Sequence, residues 1–242
     1  MPIWSYIVVA VAAYLLGSIP TGYLVAKAKG IDIRSAGSGN IGATNAMRVL
    51  GKPAGIFVLL VDAAKGYGAV TLLTPFIFNE YVRWLIHENY EVLSDGTQIM
   101  WHPTNLTLGF QNQPIEVQFR FFLIAGIFAV LGHNYTCWLK FKGGKGIATT
   151  AGVYLALTPL ALGIAFAIFV LAILVTRYVS VGSIVAAIAL PTAVWILQPD
   201  NLFLGIVTTA LGALAIYKHK SNIQRLMAGT ENRLGKKSED AK

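Results

Sequence analysis

Seven apolar runs, each bounded by polar or turn-forming residues, restrict this chain to a lipid solvent. They are Ile3 to Ala26, Pro53 to Phe78, Phe121 to Leu139, Ile147 to Leu157, Leu160 to Thr176, Val181 to Leu197 and Leu202 to Tyr217. A helix of about 20 apolar residues crosses the hydrocarbon of a bilayer, and most of the runs approach that length. Charged residues make up 12% of the 242 and hydrophobic residues 55%, whereas a soluble domain carries about 25% charge. The expected fold is an all-α polytopic membrane protein of seven transmembrane helices. The first run begins without a basic leader and outlasts a signal-peptide core, so it is expected to remain as a span.

The charges orient the bundle. All but three of the nineteen Lys and Arg residues fall in the loop Lys27 to Lys52, the loop Lys140 to Lys145, at Arg177, or in the tail from Lys218. Lys65 lies inside the second run, and Arg83 and Arg120 lie beyond it. With seven spans the basic segments share one side, which the positive-inside rule makes cytoplasmic. The N-terminus is then outside and the C-terminal tail, 218–242, cytoplasmic. Six spans would split the basic segments across the bilayer. The net charge of +8 sits between apolar spans, so lipid headgroups and anionic substrates suit it better than nucleic acid.

The stretch 79–119 breaks the pattern. It carries Glu80, Glu88, Glu91, Asp95 and Glu116, and is expected to form a soluble external insertion in a single membrane-embedded domain. Within it, Tyr81 to Leu93 fits a short amphipathic helix. Leu106 to Phe110 and Ile115 to Phe119 fit a hairpin.

Two glycine-rich stretches lie on the basic side. One is Gly37-Ser38-Gly39-Asn40-Ile41-Gly42-Ala43-Thr44-Asn45, flanked by Arg34 and Arg48. The other is Phe141-Lys142-Gly143-Gly144-Lys145-Gly146. Glycine backbones can converge their N–H groups on an anion. With Arg177 to Ser183 and Tyr217 to Asn222, the topology brings together four segments with phosphate-binding groups. Topology-setting charge accounts for Lys27, Lys29, Lys236 and Lys237, but not for glycine stretches with embedded Ser, Asn and Thr. The second stretch is not a nucleotide loop: that pattern needs Gly-Lys followed by Ser or Thr, and Gly146 follows Lys145.

His219 and Asn222 share a face if the last helix continues past the membrane. Ser180 suits the N-cap of the sixth span, with Ser183 one turn on. His133 is expected to be structural. Asp62 and Lys65, three apart inside the second span, are expected to neutralise one another, with packing against the site as the alternative. The four histidines and Cys137 have no metal-ligand spacing, and neither metal nor cofactor is expected.

Taken together these motifs resemble the bacterial acyl-phosphate-dependent glycerol-3-phosphate acyltransferases. The residues that carry the resemblance are Gly37 to Asn45, Gly132-His133 with Phe141 to Thr149, and His219 through Asn222-Ile223 and Arg225-Leu226 to Gly229. The chain departs from the family at Thr136, where proline is usual, and in the length of the 79–119 insertion. The resemblance implies a multi-pass protein of the bacterial inner membrane with a cytoplasmic active site. It implies transfer of an acyl group from acyl phosphate to the 1-hydroxyl of glycerol 3-phosphate, giving lysophosphatidic acid and phosphate. On this basis Ser38, Gly39, Asn40, Gly143, Gly144 and Lys145 are expected at the acyl phosphate. Arg48, Ser183, His219 and Asn222 are expected at glycerol 3-phosphate and Ser180 among the substrate-binding residues, with Thr44 and Asn45 buttressing the first loop. Ser38, Lys145 and His219 stand nearest the chemistry.

His219 is one candidate for the general base; the acyl phosphate's own oxygens are the other, preferred because no His–Asp pair is visible. Acyltransferases with soluble thioester donors place an Asp five residues after a His, and the corresponding positions here are Val92, Thr107, Trp138 and Gln224. The competing class is a transporter for a phosphorylated solute. Against it, no inverted repeat is evident and the polar motifs lie at span ends.

Overall fold

A computed structural model describes residues 3–79 and 115–234. All the regular structure among them is helical. The first apolar run is split into α1 (Ile3–Ser18) and α2 (Thr21–Lys27). The cause is Pro20, which has no N–H to continue the ladder. A short α3 (Ala43–Leu50) follows the first polar loop, and α4 (Lys52–Gly68) starts with Pro53 in its first turn. A π-helical turn, Ala69–Leu73, carries α4 onward, so the span as a whole is Lys52–Asn79.

The next helix, α5, is Ile115–Asn134. The expected strand Ile115 to Phe119 is therefore helical, and the third span begins earlier than Phe121. The helix runs straight into the span, with Phe119 and Phe122 packed on one core cluster and Val117 and Phe122 on another. The remainder of the insertion, with its expected amphipathic helix and other strand, lies outside the described residues. After the second polar loop come α6 (Ile147–Leu157), α7 (Pro159–Thr176), α8 (Val179–Leu197), α9 (Leu202–Lys218) and α10 (Lys220–Met227). Thr158, extended at φ −149°, separates α6 from α7. Asn201 caps α9, its Oδ1 accepting from Leu204 N–H at 3.1 Å.

Among the described residues five helical segments, α1 with α2 counted as one, are long and apolar enough to cross a membrane, and α9 with α10, bent by 52°, makes a sixth candidate. At eleven residues, α6 is shorter than these. The surface is that of a membrane protein: Leu174 is 72% exposed, Val175 76% and Ile196 71%, positions that water would penalise by roughly 2 kcal/mol each.

Helices pair through small residues, as bundles in lipid do. α1 lies along α5, with Val9 and Ala13 against Phe121, Ala125 and Ala129. A Cβ on Gly17 would strike the Ala129 carbonyl, and one on Gly132 the Tyr14 carbonyl. A second core joins α5, α6, α8 and α9 around Tyr154, whose hydroxyl donates to Thr208 Oγ1 at 2.6 Å. A third, around Ile33, Ile41, Ala46, Val58 and Leu139, seats the first polar loop.

Candidate active site

One side chain holds the first glycine-rich loop. Asn45 is 2% exposed in the first turn of α3. Its Oδ1 accepts from Ser38 N–H at 2.8 Å. Its Nδ2 donates to the carbonyls of Asn40 at 2.8 Å, Ala36 at 3.0 Å and Ile33 at 3.4 Å. Gly37 takes φ +59°, and a Cβ there would collide with the Asn45 amide oxygen, so this closure requires glycine. The Asn40 side chain turns back to accept from Gly42 N–H at 2.8 Å, an Asx turn. Ser38 is half-buried and Thr44 exposed; the buttress is thus Asn45.

The second loop docks on the end of α5. Lys140 and Phe141 both sit in the left-handed region, at φ 53° and 59°. Such backbone costs about 1–2 kcal/mol per non-glycine residue. Gly143 N–H donates to Asn134 O at 3.2 Å and Gly144 N–H to His133 O at 3.0 Å. Both N–H groups are therefore spent on α5, and the expectation that they face an anion is corrected. At Gly144 a Cβ would strike the His133 ring. The docked loop presents Lys145, whose ammonium donates to Asn222 Oδ1.

The third contribution comes from the C-terminal end. α9 stops at Lys218 and α10 sets off at 52°, so His219 is the joint and the helix does not continue through it. His219 and Asn222 are nevertheless both buried, since Asn222 N–H still donates to His219 O at 2.8 Å. The His219 Nδ1–H donates to Ala215 O at 2.7 Å. That tautomer leaves the Nε2 lone pair free to accept. Burial, then the charge of Lys145, pushes His219 down to about 4, so the ring is neutral.

After α10 the chain reverses. Gly229, at φ +69°, donates to Leu226 O, and Thr230 N–H donates to Arg225 O at 2.9 Å, the paired bonds of a Schellman motif. The returning strap is pinned by Leu234 N–H to Arg177 O at 2.8 Å and by Arg233 Nε to Tyr178 Oη at 2.9 Å. It carries Glu231 into the cluster. One carboxylate oxygen accepts from Asn222 Nδ2 at 2.8 Å and Ser180 Oγ at 3.1 Å, the other from Arg225 Nε at 2.8 Å. These bonds, with the Arg225 charge, draw Glu231 below its usual range against the opposing effect of burial. Ser180 is accordingly not an N-cap: Tyr178 holds that position. The Ser183 hydroxyl donates to Val179 O at 3.0 Å within its own helix.

The structure thus gathers Lys145, Asn222, Ser180, Arg225 and Glu231 by direct contact. Arg48 joins them within electrostatic reach of Glu231, Arg225 and Lys145. Burial is the main effect that pushes Lys145 down, to about 8. Three cations face one carboxylate, leaving an excess of positive charge suited to a dianion. Sequence reasoning does not single out Arg225 and Glu231 as site residues. The signal that marks them is Gly229, a helix-ending glycine that folds the tail back. Among the described residues no group of His, Cys, Asp and Glu could hold a metal ion.

A helical membrane protein with a partly buried, net-cationic cluster built from three distant loops defines a class: an integral membrane enzyme or carrier for an anionic substrate. Comparison with known proteins narrows it. The glycerol-3-phosphate acyltransferase family model matches residues 7–229. The glycerol-3-phosphate acyltransferase of Thermosynechococcus vestitus is 44% identical over 229 residues, 93% of each chain. That of Geotalea daltonii is 40% identical over 94% of this chain and 97% of its own. The crystal structure of PlsY (YgiH), an integral membrane glycerol 3-phosphate acyltransferase, in its glycerol 3-phosphate form superposes with a TM-score of 0.73 at 33% identity over 96% of both chains. Its lysophosphatidic acid form gives 0.69 at 34% identity. The chain belongs to the glycerol-3-phosphate acyltransferase family.

Proposed function

We propose that this protein transfers a fatty acyl group from acyl phosphate to the 1-hydroxyl of sn-glycerol 3-phosphate. The hydroxyl oxygen bonds to the acyl carbon, the bond from that carbon to the phosphate oxygen breaks, and the hydroxyl proton leaves with the phosphate. Lysophosphatidic acid and inorganic phosphate are the products. The observation that carries the reading is the contact of Lys145 with Asn222 inside a cluster of Arg48, Arg225, Ser180 and Glu231. Both substrates are phosphates, and such donors act on phosphoryl oxygens by charge and by bidentate hydrogen bonding.

In this reading Ser38, Gly39, Asn40 and Lys145 contact the acyl phosphate and its developing oxyanion. Gly143 and Gly144 fix the loop that delivers Lys145. Arg48, Asn222 and His219 hold glycerol 3-phosphate, with Ser180 and Ser183 lining the adjacent helix end. Phosphate is already a good leaving group, so positioning and charge stabilisation are the main requirements. A neutral His219 is a weak base and a good acceptor, which favours the donor's own oxygens as the proton's destination.

The site is read as cytoplasmic, in the bacterial inner membrane, with seven crossings. What supports the count is that Lys145 and Ser180 both approach Glu231. The chain between them, α6 and α7, must leave that end of the bundle and return. Purified protein given acyl phosphate and glycerol 3-phosphate is expected to release lysophosphatidic acid; solute flux in vesicles without product would overturn the enzyme reading. With Cys137 replaced by Ser and single cysteines placed at Asp200 and at Lys236, an impermeant thiol reagent should label Asp200→Cys from the periplasmic side only. Labelling of both from one side would refute the seven-span topology.

A further inference from the structure

The ion pair inside the second span has a reach that charge neutralisation alone does not require. Asp62 and Lys65 are 2% and 5% exposed, and Lys65 Nζ lies 2.7 Å from Asp62 Oδ1. The same ammonium donates to Ile19 O at 2.7 Å and Gly17 O at 3.3 Å. Both carbonyls lie at the break at Pro20, where Ile19 O also accepts from Thr21 N–H at 3.0 Å, and in lipid such groups must be satisfied within the protein. The ammonium thus hydrogen-bonds two carbonyls of the broken span and pairs by charge with Asp62.

The pair also touches the end of α5. Asp62 Oδ1 lies 3.7 Å from His133 Nδ1. His133 is buried, its carbonyl accepts the Gly144 N–H, and its ring faces Gly144 so closely that no Cβ fits between. The α1 break is bound to the same place a second way. Thr136 Oγ1 donates to Ser18 O at 2.5 Å and Ser18 Oγ to Gly132 O at 3.3 Å. The loop that presents Lys145 is therefore seated on a residue whose other face meets the buried pair.

We propose that Asp62 and Lys65 are positioning residues for acyl transfer, fixing His133 and through it the Gly143–Gly144 seat from which Lys145 reaches substrate. The inference rests on the acyl-transfer reading above. Neither residue touches the substrate. The pair acts by holding three helix ends, those of α1, α2 and α5, in one arrangement.

The test is a set of three variants assayed with the wild type in the same detergent. Lys65→Met leaves a buried carboxylate uncompensated and is expected to fold poorly. The double variant Asp62→Leu with Lys65→Met removes both charges, a change that proteins often tolerate. Asp62→Glu keeps the pair and moves the carboxylate by one methylene. For the double variant we expect kcat to fall about 10- to 100-fold, the cost of a misplaced catalytic group, in protein that remains monodisperse. Its alkaline pH limb should also move upward, because a loosened loop admits water to Lys145 among Arg48, Arg225, Glu231 and His219. Asp62→Glu should lower kcat several-fold with an unchanged thermal midpoint. Either folded variant with wild-type kcat, KM and pH limb overturns the proposal, as does a lowered midpoint with full activity per folded molecule. Failure of the wild type itself to form lysophosphatidic acid would instead overturn the acyl-transfer reading.

Discussion

The Lys145 ammonium donates to the Oδ1 of Asn222, a residue 77 positions later in the chain. The bond ties the second glycine-rich loop to the helix beyond the last span. Asn222 passes the connection on through its Nδ2 to Glu231 at 2.8 Å. A cation, an amide and a carboxylate from three segments thus form one line at the candidate site, and its ends are charges that a phosphate would compete for.

Lys145 should impose an alkaline limb on activity. Its folded pKa lies at about 8, below the ordinary 10.5, so the ammonium is intact below that pH and is lost as pH rises through it. kcat/KM for glycerol 3-phosphate should be level to about pH 7.5 and fall tenfold per unit above the limb. Lys145→Arg stays charged throughout and should abolish the limb at lower absolute activity; Lys145→Ala should nearly abolish turnover while leaving the thermal midpoint within a few degrees. An unchanged limb in Lys145→Arg would show that another group titrates there.

Asn45 is the next test, because its side chain bonds the first loop at Ile33, Ala36, Ser38 and Asn40. Asn45→Ala removes one acceptor bond and the two N–H donors that three loop carbonyls share. At about 1 kcal/mol net per bond, the loop should lose its closed form. We expect kcat/KM to drop on the order of 100-fold, far more than a surface change on the same helix such as Thr44→Ala. Steady-state kinetics beside a thermal scan makes the comparison.

Gly144→Ala should separate packing from ligand contact. The added methyl meets the His133 ring, so loop or ring must move, and both activity and the midpoint should fall. Gly163→Ala, where nothing lies within 4 Å of the new methyl, should change neither. A Gly144→Ala protein that keeps its midpoint but loses affinity for acyl phosphate would point to a direct ligand role.

Glu231 predicts a pH-dependent contribution to stability. Its folded pKa is depressed below 4.5. The stabilisation is therefore present above about 4.5 and disappears as pH falls through the lower folded value. The midpoint difference between wild type and Glu231→Gln should be largest near pH 7 and should shrink below pH 4.5. No difference at any pH would mean the strap is held by Arg233 and Leu234 instead.

Much of this protein is legible in its sequence because lipid imposes simple rules. Backbone groups must be satisfied within a segment, so apolar runs read as helices, and the breaks at Pro20, Thr158 and Gln198 are marked by residue type. The two glycine stretches, Lys145, Asn222 and the Asp62–Lys65 pair are all visible as local pattern. The role of the glycines is not. Gly143 and Gly144 look like free N–H donors in one dimension, and only the approach of His133 and Asn134 from α5 shows those donors occupied. Ser180 reads as an N-cap, yet the helix starts one residue before it and its hydroxyl turns to the strap. Glu231 reads as one charge in a polar tail. It becomes part of the cluster because the Schellman turn at Gly229 and the bonds to Arg177 and Tyr178 fold the tail back. Composition and hydropathy determine the solvent and the helices, since each residue obeys those rules alone. Which donors are free and which charges meet is a property of helix ends brought together, and tertiary packing alone decides that.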